Sequence, residues 1–209
     1  METFATFDDG EKIAPPKFYR KRERKIKRLQ RRLSRCRKGS RNRGKARKRL
    51  AVAYAKTRHQ RNDWLHQLAI LIVCSHDTLC IEDLNLRGLV KTKLAKSFSD
   101  AALGTFRRML EYKGLWYGCQ IITVDRFFAS SKTCSECGHH QHLALSDRVW
   151  TCEQCGTVHD RDVNAARNLL HEGLRILAQG HGESLNACGA EVRRARRSRS
   201  ALKQEAAGL

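Results

Sequence analysis

The sequence has few acidic residues and no long apolar run. Its 209 residues include 21 Asp and Glu against 42 Lys and Arg, which gives a formal net charge of +21. The longest apolar stretch, Leu68 to Cys74, is far shorter than the roughly 20 residues that a membrane-spanning helix needs. The first residues also lack the basic and apolar regions of a secretory signal. We therefore expect neither a membrane protein nor an exported one.

The surplus of positive charge predicts a polyanionic partner. A free protein with this charge would repel itself, and nucleic acid is the commonest partner that neutralises it. Hydrophobic residues make up 41% of the chain, which is enough for a core, so the chain is not disordered throughout. The length suits one domain, or one domain with a small appendage.

Most of the charge lies between Lys17 and Leu50. This segment contains nineteen lysines and arginines and one acid, Glu23, so eighteen of the twenty-one net charges fall there. Apolar residues recur in it at helical steps, namely Ile26, Leu29, Leu33 and Cys36. A turn over 39–44 and a second helix over about 45–74 complete a helical hairpin over 17–75, here called the basic hairpin. It predicts salt-dependent binding to phosphate backbones; a solvated charged face without a specific ligand is the alternative.

The rest of the chain mixes strands and helices, which predicts an α/β fold. An Asp-Gly turn at 9–10 joins two short segments into a β-hairpin. Strands are predicted over 78–84 and 120–125, and helices from Ser99 onward and from Asp162 to about Leu177. The basic, glycine-containing segment 179–209 is predicted to be a disordered tail.

Four of the nine cysteines form two Cys-x2-Cys pairs with fourteen residues between the pairs. They are Cys134, Cys137, Cys152 and Cys155. Four thiolates complete the tetrahedral coordination of Zn2+, so the spacing predicts a structural zinc site without an open catalytic position. An odd number of cysteines also favours metal binding in a reducing compartment over disulfides. Redox-active or coincidental pairs are the alternative. The nearby His139, His140 and His142 are not needed as ligands.

Two acidic residues stand at the ends of predicted elements. Glu82 ends an apolar strand, and Asp162 begins a helix. Each has an ordinary structural interpretation, because Glu82 would pair with an arginine, and Asp162 or Asp160 would cap the helix. The functional interpretation is that carboxylates held by rigid elements converge on divalent cations, as two-metal phosphodiester hydrolysis requires.

Four segments resemble the C-terminal half of the TnpB/OrfB transposon proteins, which are RNA-guided DNA endonucleases related to type V CRISPR effectors. The segments are Ile-Glu-Asp-Leu-Asn at 81–85, Ser-Ser-Lys-Thr-Cys-Ser-Glu-Cys-Gly at 130–138, Leu-Ser-Asp-Arg-Val-Trp-Thr-Cys at 145–152 and His-Asp-Arg-Asp-Val-Asn-Ala-Ala-Arg-Asn at 159–168. Their order and spacing match from Phe4 to about Leu170.

The resemblance implies an architecture. A partial RuvC-like nuclease core with an RNase H-like sheet would occupy 1–126 and include the basic hairpin. A zinc ribbon would occupy 127–160, and a closing RuvC-like helix 161–178. The resemblance also implies a prokaryotic, cytoplasmic and nucleoid-associated protein that serves transposition and DNA recombination.

The resemblance also implies roles for residues and partners. Glu82 would be the second catalytic carboxylate and Asp162 the third, with Mg2+ or Mn2+ as their ions. The four cysteines would hold zinc. The basic hairpin would lie against a guide RNA–DNA heteroduplex, whose backbone and shape the protein grips while base pairing reads the sequence. DNA and guide RNA are thus the expected partners, with no membrane and no small-molecule substrate.

One departure from the family pattern concerns the first metal ligand. Family members carry a strand of the type Gly-Ile-Asp-x-Gly just before the segment that begins at Phe4. Its aspartate would fall upstream of Met1, and Asp8 and Asp9 lie in the following turn, where they cannot replace it. The family's N-terminal domain, which helps to bind the guide RNA and the target-adjacent motif, is missing too. We therefore expect an incomplete sheet and a chain that does not cleave.

Four hypotheses follow. The first is a truncated nuclease core. The second is a longer, active protein whose start was assigned too late, which in-frame translation of the DNA upstream of Met1 would reveal. The third is a non-catalytic, zinc-containing nucleic-acid-binding protein, such as a repressor of its own element. The fourth is the product of a decayed gene that does not fold.

Overall fold

The computed structural model describes residues 2–89, 91, 95–144, 146–180 and 198–204. Their elements, in chain order, are β1 (Ala5–Phe7), β2 (Lys12–Ile13), α1 (Phe18–Arg35), α2 (Arg41–Ser75), β3 (His76–Glu82), α3 (Leu86–Leu89), α4 (Ala95–Ala101), α5 (Leu103–Tyr117), β4 (Gln120–Val124), β5 (Val149–Thr151), β6 (Val158–Asp160), α6 (Arg161–Ala178) and β7 (Ser198–Gln204). The mixed α/β class is confirmed. Within these ranges, no helix has the length and apolar character that crossing a bilayer requires.

The chain divides into two compact units. The smaller unit, residues 16–68, contains α1 and most of α2 and so corresponds to the greater part of the basic hairpin. Ile26 of α1 is fully buried, as the helical spacing of its apolar residues predicts. Gln30 Nε2 donates a hydrogen bond of 2.8 Å to the Tyr54 hydroxyl and so ties α1 to α2.

The connection between α1 and α2 is shorter than the predicted turn over 39–44. Because the Ser40 hydroxyl accepts a hydrogen bond of 3.2 Å from the Arg43 amide, it caps α2, which begins at residue 41. The Arg43 guanidinium also donates to the carbonyls of Leu33 and Cys36, at 3.1 and 3.2 Å. These bonds add to the Cys36 amide, which also donates to the Leu33 carbonyl, in satisfying carbonyls at the end of α1.

The larger unit, residues 1–15 with the chain from residue 69 onward, contains a five-stranded sheet with the order β2-β1-β7-β3-β4. β1 is antiparallel to β2 and β7, whereas β3 is parallel to β7 and β4. The predicted β-hairpin is confirmed, with Gly10 at a φ of 97° in its turn. The strands predicted over 78–84 and 120–125 are confirmed as β3 and β4. β3 begins two residues earlier than predicted and ends at Glu82.

The disordered tail predicted over 179–209 is wrong for residues 198–204. These residues form β7, the central strand of the sheet, with Ala201 in register with Cys80. β1 and β3 each present a row of backbone N–H and C=O groups toward the position of β7, and a strand between them satisfies both rows. The predicted tail residues 181–197 and 205–209 lie outside the described residues.

Helix α6 covers one face of this sheet. Leu169 packs with Cys80, Ile122 and Val124 in a buried cluster. Gly173 lies so close to Cys80 that a Cβ added at Gly173 would stand 2.8 Å from the Cys80 Cβ and even nearer to its Sγ. Burial raises the pKa of Cys80 to about 12, so this thiol is an unreactive packing group.

Gly173→Ala should destabilise the larger unit by about 1–3 kcal/mol, the usual cost of overpacking a core. The added methyl group would overlap the fully buried Cys80, so α6 or β3 must shift. Gly44→Ala is the matched control, because a Cβ at Gly44 of α2 meets nothing within 4 Å and should stabilise its helix by up to about 1 kcal/mol. Urea unfolding measures both, and stabilisation by both variants would contradict this packing.

Candidate functional site

The four predicted cysteines form one cluster. The sulfur atoms of Cys134, Cys137, Cys152 and Cys155 all lie within 4.8 Å of one another. The Cys134–Cys155 distance is 3.7 Å and the Cys137–Cys152 distance is 3.6 Å. Four thiolates at about 2.3 Å from a tetrahedral Zn2+ stand about 3.8 Å apart, so the cluster fits a structural zinc ion.

Two tight turns bring these sulfurs together. Residues 134–138 form the first zinc knuckle and residues 152–156 the second. In each, the glycine that follows the second cysteine has a φ of 74°, and its amide donates to the carbonyl of the first cysteine. Glycine adopts this left-handed conformation without the steric cost that a Cβ brings. Strands β5 and β6 lead into and out of the second knuckle.

The thiols of this cluster differ in pKa. Hydrogen bonding with Thr157 lowers the pKa of Cys155 to about 6. A backbone hydrogen bond with His139 lowers the pKa of Cys137, but desolvation and the neighbouring thiols outweigh it and raise that pKa to about 12. Because zinc binds thiolates rather than thiols, the lowered pKa of Cys155 favours metal binding at that ligand.

His159 contacts the cluster, and sequence reasoning missed it. Its Nε2 lies 3.1 Å from Cys134 Sγ, and its ring packs on the ring of Trp150 with centroids 4.8 Å apart. His159 is buried, with 3% of its surface exposed. The available signal was its position three residues after the second knuckle and directly before the acids 160 and 162.

Glu82 is the last residue of β3, as predicted. It is half-buried and in register with Val124 of the parallel neighbour β4. Because side chains alternate along a strand, Glu82 shares a sheet face with Cys80, the residue against which Gly173 of α6 packs. The carboxylate therefore belongs to the face that α6 covers.

Asp162 lies in the first turn of α6 and is 8% exposed. It is not the helix cap. That role belongs to Asp160, whose Oδ1 accepts hydrogen bonds from the amides of Asp162 and Val163 at 3.0 and 3.1 Å. A guanidinium nitrogen of Arg148 stands 3.9 Å from Asp162 Oδ2. Asp162 is thus a buried acid at a helix N-terminus that does not serve as its cap.

A further acid, Asp83, follows Glu82 directly and is held by two arginines. Arg107 of α5 donates to Asp83 at 2.5 Å, and Arg126, which follows β4, donates to its other oxygen. The hydrogen bond from Arg107 is the main cause that lowers the pKa of Asp83. Asp83 therefore has a structural ion-pair role.

Through the described ranges, only the four thiols form a group of three or more His, Cys, Asp or Glu side chains close enough to share a metal ion. Glu82 and Asp162 therefore gather no third acid of the described residues at such a distance. Of the six predicted site residues, the structure unites the four cysteines in one site. It distributes the two carboxylates between the end of β3 and the start of α6.

The smaller unit offers a basic surface. A groove of about 440 Å³ between its helices is lined by Lys25, Leu29, Lys48, Arg49 and Val52. Three of these side chains are cationic, and Val52, on the groove wall, is 60% exposed. Cationic side chains around an apolar surface can pair with phosphates while the groove contacts sugars.

Two protein-family models match the chain. The model OrfB_IS605, described as "Probable transposase", matches residues 1–93, and the model "Cas12f1-like, TNB domain" matches residues 104–169. Together the two matches include the basic hairpin, Glu82, the four cysteines and Asp162.

Similar proteins occur in several bacteria. A protein of Streptomyces pristinaespiralis named "Putative RNA-guided DNA endonuclease" is 45% identical over 211 residues, which cover 98% of this chain and 50% of that protein. InsQ of Escherichia coli K12, which has the same description, is 33% identical over 84% of this chain and 48% of its own length. The chain thus spans about half the length of these relatives.

A solved structure shares the fold. In a cryo-EM structure of a Cas12f1–sgRNA–target DNA complex, one chain matches with a TM-score of 0.53 and 21% sequence identity. The match covers 76% of this chain and 43% of that one.

Proposed function

The chain belongs to the TnpB/OrfB_IS605 family of transposon-associated proteins, and on that premise we propose that it is the RuvC-like nuclease portion of an RNA-guided DNA endonuclease. Glu82 and Asp162 would hold a divalent cation, and the four-cysteine ribbon would hold zinc. In this proposal residues 1–126 form the nuclease core with the basic hairpin, 127–160 the ribbon and 161–178 the closing helix.

The observation that supports the proposal is the packing of α6, which carries Asp162, on the sheet face that carries Glu82. Glu82 lies on the sheet face that α6 covers, at the end of β3. Leu169 of α6 packs in one cluster with Val124, the register partner of Glu82. Asp162 lies seven residues before Leu169, in the first turn of the same helix, so we expect both acids to lie toward one end of this sheet face. A strand end and a helix start hold carboxylates rigidly, as a divalent-ion site requires.

The surrounding residues would keep these carboxylates ready for a metal. Arg107 and Arg126 both form ion pairs with Asp83, the residue that follows Glu82, and so neutralise the charge of Asp83. Asp160 caps α6 and pairs with Lys12 at 2.7 Å, which leaves Asp162 in the first turn without a capping role. When bound, Mg2+ or Mn2+ would polarise the phosphodiester and activate water.

Divalent-ion titration of the zinc-loaded chain tests this site. We expect Glu82→Gln and Asp162→Asn each to weaken Mn2+ binding at least about tenfold, since each removes a charged ligand. Asp63→Asn, which removes an exposed acid of the smaller unit, is the control and should bind as the unchanged chain does. Mn2+ affinity that is the same in all four proteins would contradict the proposed site.

Guided cleavage tests the catalytic part. Glu82 and Asp162 would be two of the three carboxylates that the family resemblance implies, and no third acid of the described residues groups with them. With guide RNA, target DNA and Mg2+, we therefore expect the 209-residue chain to bind without cutting. Cleavage that disappears in Glu82→Gln would contradict this inactivity and support the nuclease assignment.

For the partners, we propose DNA and guide RNA on the basic hairpin. The charge of residues 17–50 and the cationic groove support this, as does the fold shared with a chain of the Cas12f1–sgRNA–target DNA complex. The alternative function is a non-catalytic, zinc-containing nucleic-acid-binding protein. The lack of a third acid near Glu82 and Asp162 among the described residues favours it, and binding that needs no divalent ion would support it.

Replacing Lys48 and Arg49 with alanine should weaken binding to an RNA–DNA heteroduplex and reduce its salt dependence. Each lost phosphate contact lowers the slope of log K against log salt by about 1. Arg175→Ala is the control, because Arg175 is already paired with Glu172 at 2.6 Å. Fluorescence anisotropy at several salt concentrations measures both. An unchanged slope in the double variant would show that this groove does not contact phosphates.

A further inference from the structure

Two asparagines of α6 join this helix to the first zinc knuckle. Asn164 donates to the Thr133 carbonyl at 2.8 Å and accepts from the Ser135 amide at 2.9 Å, so its amide brackets the zinc ligand Cys134. Asn168 donates to the carbonyls of Thr133 and Ser130 at 2.6 and 2.8 Å. The two asparagines are four residues apart, and therefore lie on one face of α6.

These bonds are buried. Asn164 is 1% exposed and Asn168 is 5% exposed. Burying an amide without hydrogen-bond partners is costly, so each asparagine strongly favours the arrangement in which the backbone of residues 130–135 stands against it. The contact between α6 and this backbone segment therefore has one defined geometry.

A residue that precedes Asp162 in the chain also contacts the first knuckle. His159, three residues before Asp162, contacts Cys134 Sγ at 3.1 Å. Asn164 follows Asp162 by two residues. Arg161 also binds the ribbon. Its amide donates to the Arg148 carbonyl at 2.8 Å, and its guanidinium donates to the Ala144 carbonyl at 2.7 Å. Asp162 thus lies within a short segment that is bound to the zinc ribbon before and after it.

We infer that Asn164 and Asn168 are positioning residues that transmit the geometry of the zinc knuckle to the first turn of α6, and so to Asp162. The consequence of this positioning for divalent-ion binding rests on the proposed function of Asp162. The zinc ion, although closed to substrate, would set the position of a carboxylate outside its own coordination sphere. Zinc and the divalent ion would then favour each other's binding, and this coupling must be reciprocal.

Amide hydrogen exchange tests the positioning without any divalent ion. In the zinc-loaded Asn164→Ala, Asn168→Ala double variant, we expect one zinc per chain but at least tenfold faster exchange over residues 162–168. Glu172→Gln, which changes an exposed ion pair of the same helix, should leave this exchange unchanged. Unchanged protection in the double variant would overturn the inference. So would loss of its zinc, because the asparagines would then serve the metal site itself.

A second measurement uses the unchanged chain. Removing zinc with a chelator should speed exchange over residues 162–168 much more than over residues 173–178. The latter residues follow the two asparagines along α6. Equal protection of residues 162–168 with and without zinc would overturn the inference even if the double variant failed to fold.

Mn2+ binding separates this inference from the proposed function. We expect the double variant to bind Mn2+ at least tenfold more weakly than the unchanged chain, and Mn2+ to slow zinc release only in the unchanged chain. If Asp162→Asn binds Mn2+ as the unchanged chain does, the proposed carboxylate site is wrong, whereas the exchange result still decides the positioning of α6. If Asp162→Asn fails to bind but the double variant binds normally, the positioning is wrong and the carboxylate site stands.

Discussion

Cys152→Ser should bind no zinc at neutral pH and lose the folded ribbon. Serine is a poor zinc ligand, and three thiolates cannot close the tetrahedral site of a structural zinc. Structural zinc contributes about 10–16 kcal/mol of apparent binding free energy in small zinc modules, and β5 and β6 have only three residues each to hold the ribbon without it. Metal analysis and the dispersion of ribbon amide signals in NMR spectra measure the loss.

The matched control is Cys36→Ser. Cys36 lies at the end of α1, where its thiol donates to the Arg32 carbonyl, and it is remote in sequence from both knuckles. The same chemical change there should leave one zinc per chain. A ribbon that stays folded in Cys152→Ser, with zinc absent, would contradict the account of the cluster as a structural metal site.

Ala201→Pro should destabilise the five-stranded sheet by about 3 kcal/mol or more. Ala201 lies in β7, the central strand, with β1 on one side and β3 on the other. Proline lacks a backbone N–H and is tolerated only at sheet edges, so it should disrupt the pairing of this central strand and strain its backbone. Urea unfolding followed by circular dichroism measures the change.

Ala201→Ser is the control for this prediction, because it changes the side chain and keeps the N–H. The serine variant should unfold within about 1 kcal/mol of the unchanged chain, the range of sheet propensities. Equal stability of the proline and serine variants would show that residues 198–204 do not form the centre of the sheet.

The zinc cluster was predictable because its information is local. Two Cys-x2-Cys pairs, each followed by glycine, define their own turns, and the structure adds only the distances between sulfurs. The β-hairpin and β4 were predictable for the same reason, since a turn residue or a short apolar run fixes them. Glu82 was expected at a strand end because the apolar residues of β3 stop there.

Features that depend on distant partners were missed. The charge and glycine content of residues 179–209 indicated a tail, yet β7 pairs with strands more than a hundred residues earlier, which composition does not encode. The start of α2 was misplaced because Ser40 caps the helix inside a segment that reads as a turn. Nothing in the local sequence distinguishes Asn164 and Asn168 from other polar helix residues, because their partners lie about thirty residues earlier in the chain.

Anomalous scattering of Mn2+ tests whether Glu82 and Asp162 share one divalent cation beside the zinc ribbon. In crystals of the zinc-loaded chain grown with this ion, we expect a manganese peak at about 2 Å from an oxygen of each carboxylate, in addition to the zinc peak among the four sulfurs. Manganese bound elsewhere, with the side chains of Glu82 and Asp162 directed to separate surroundings, would contradict this expectation.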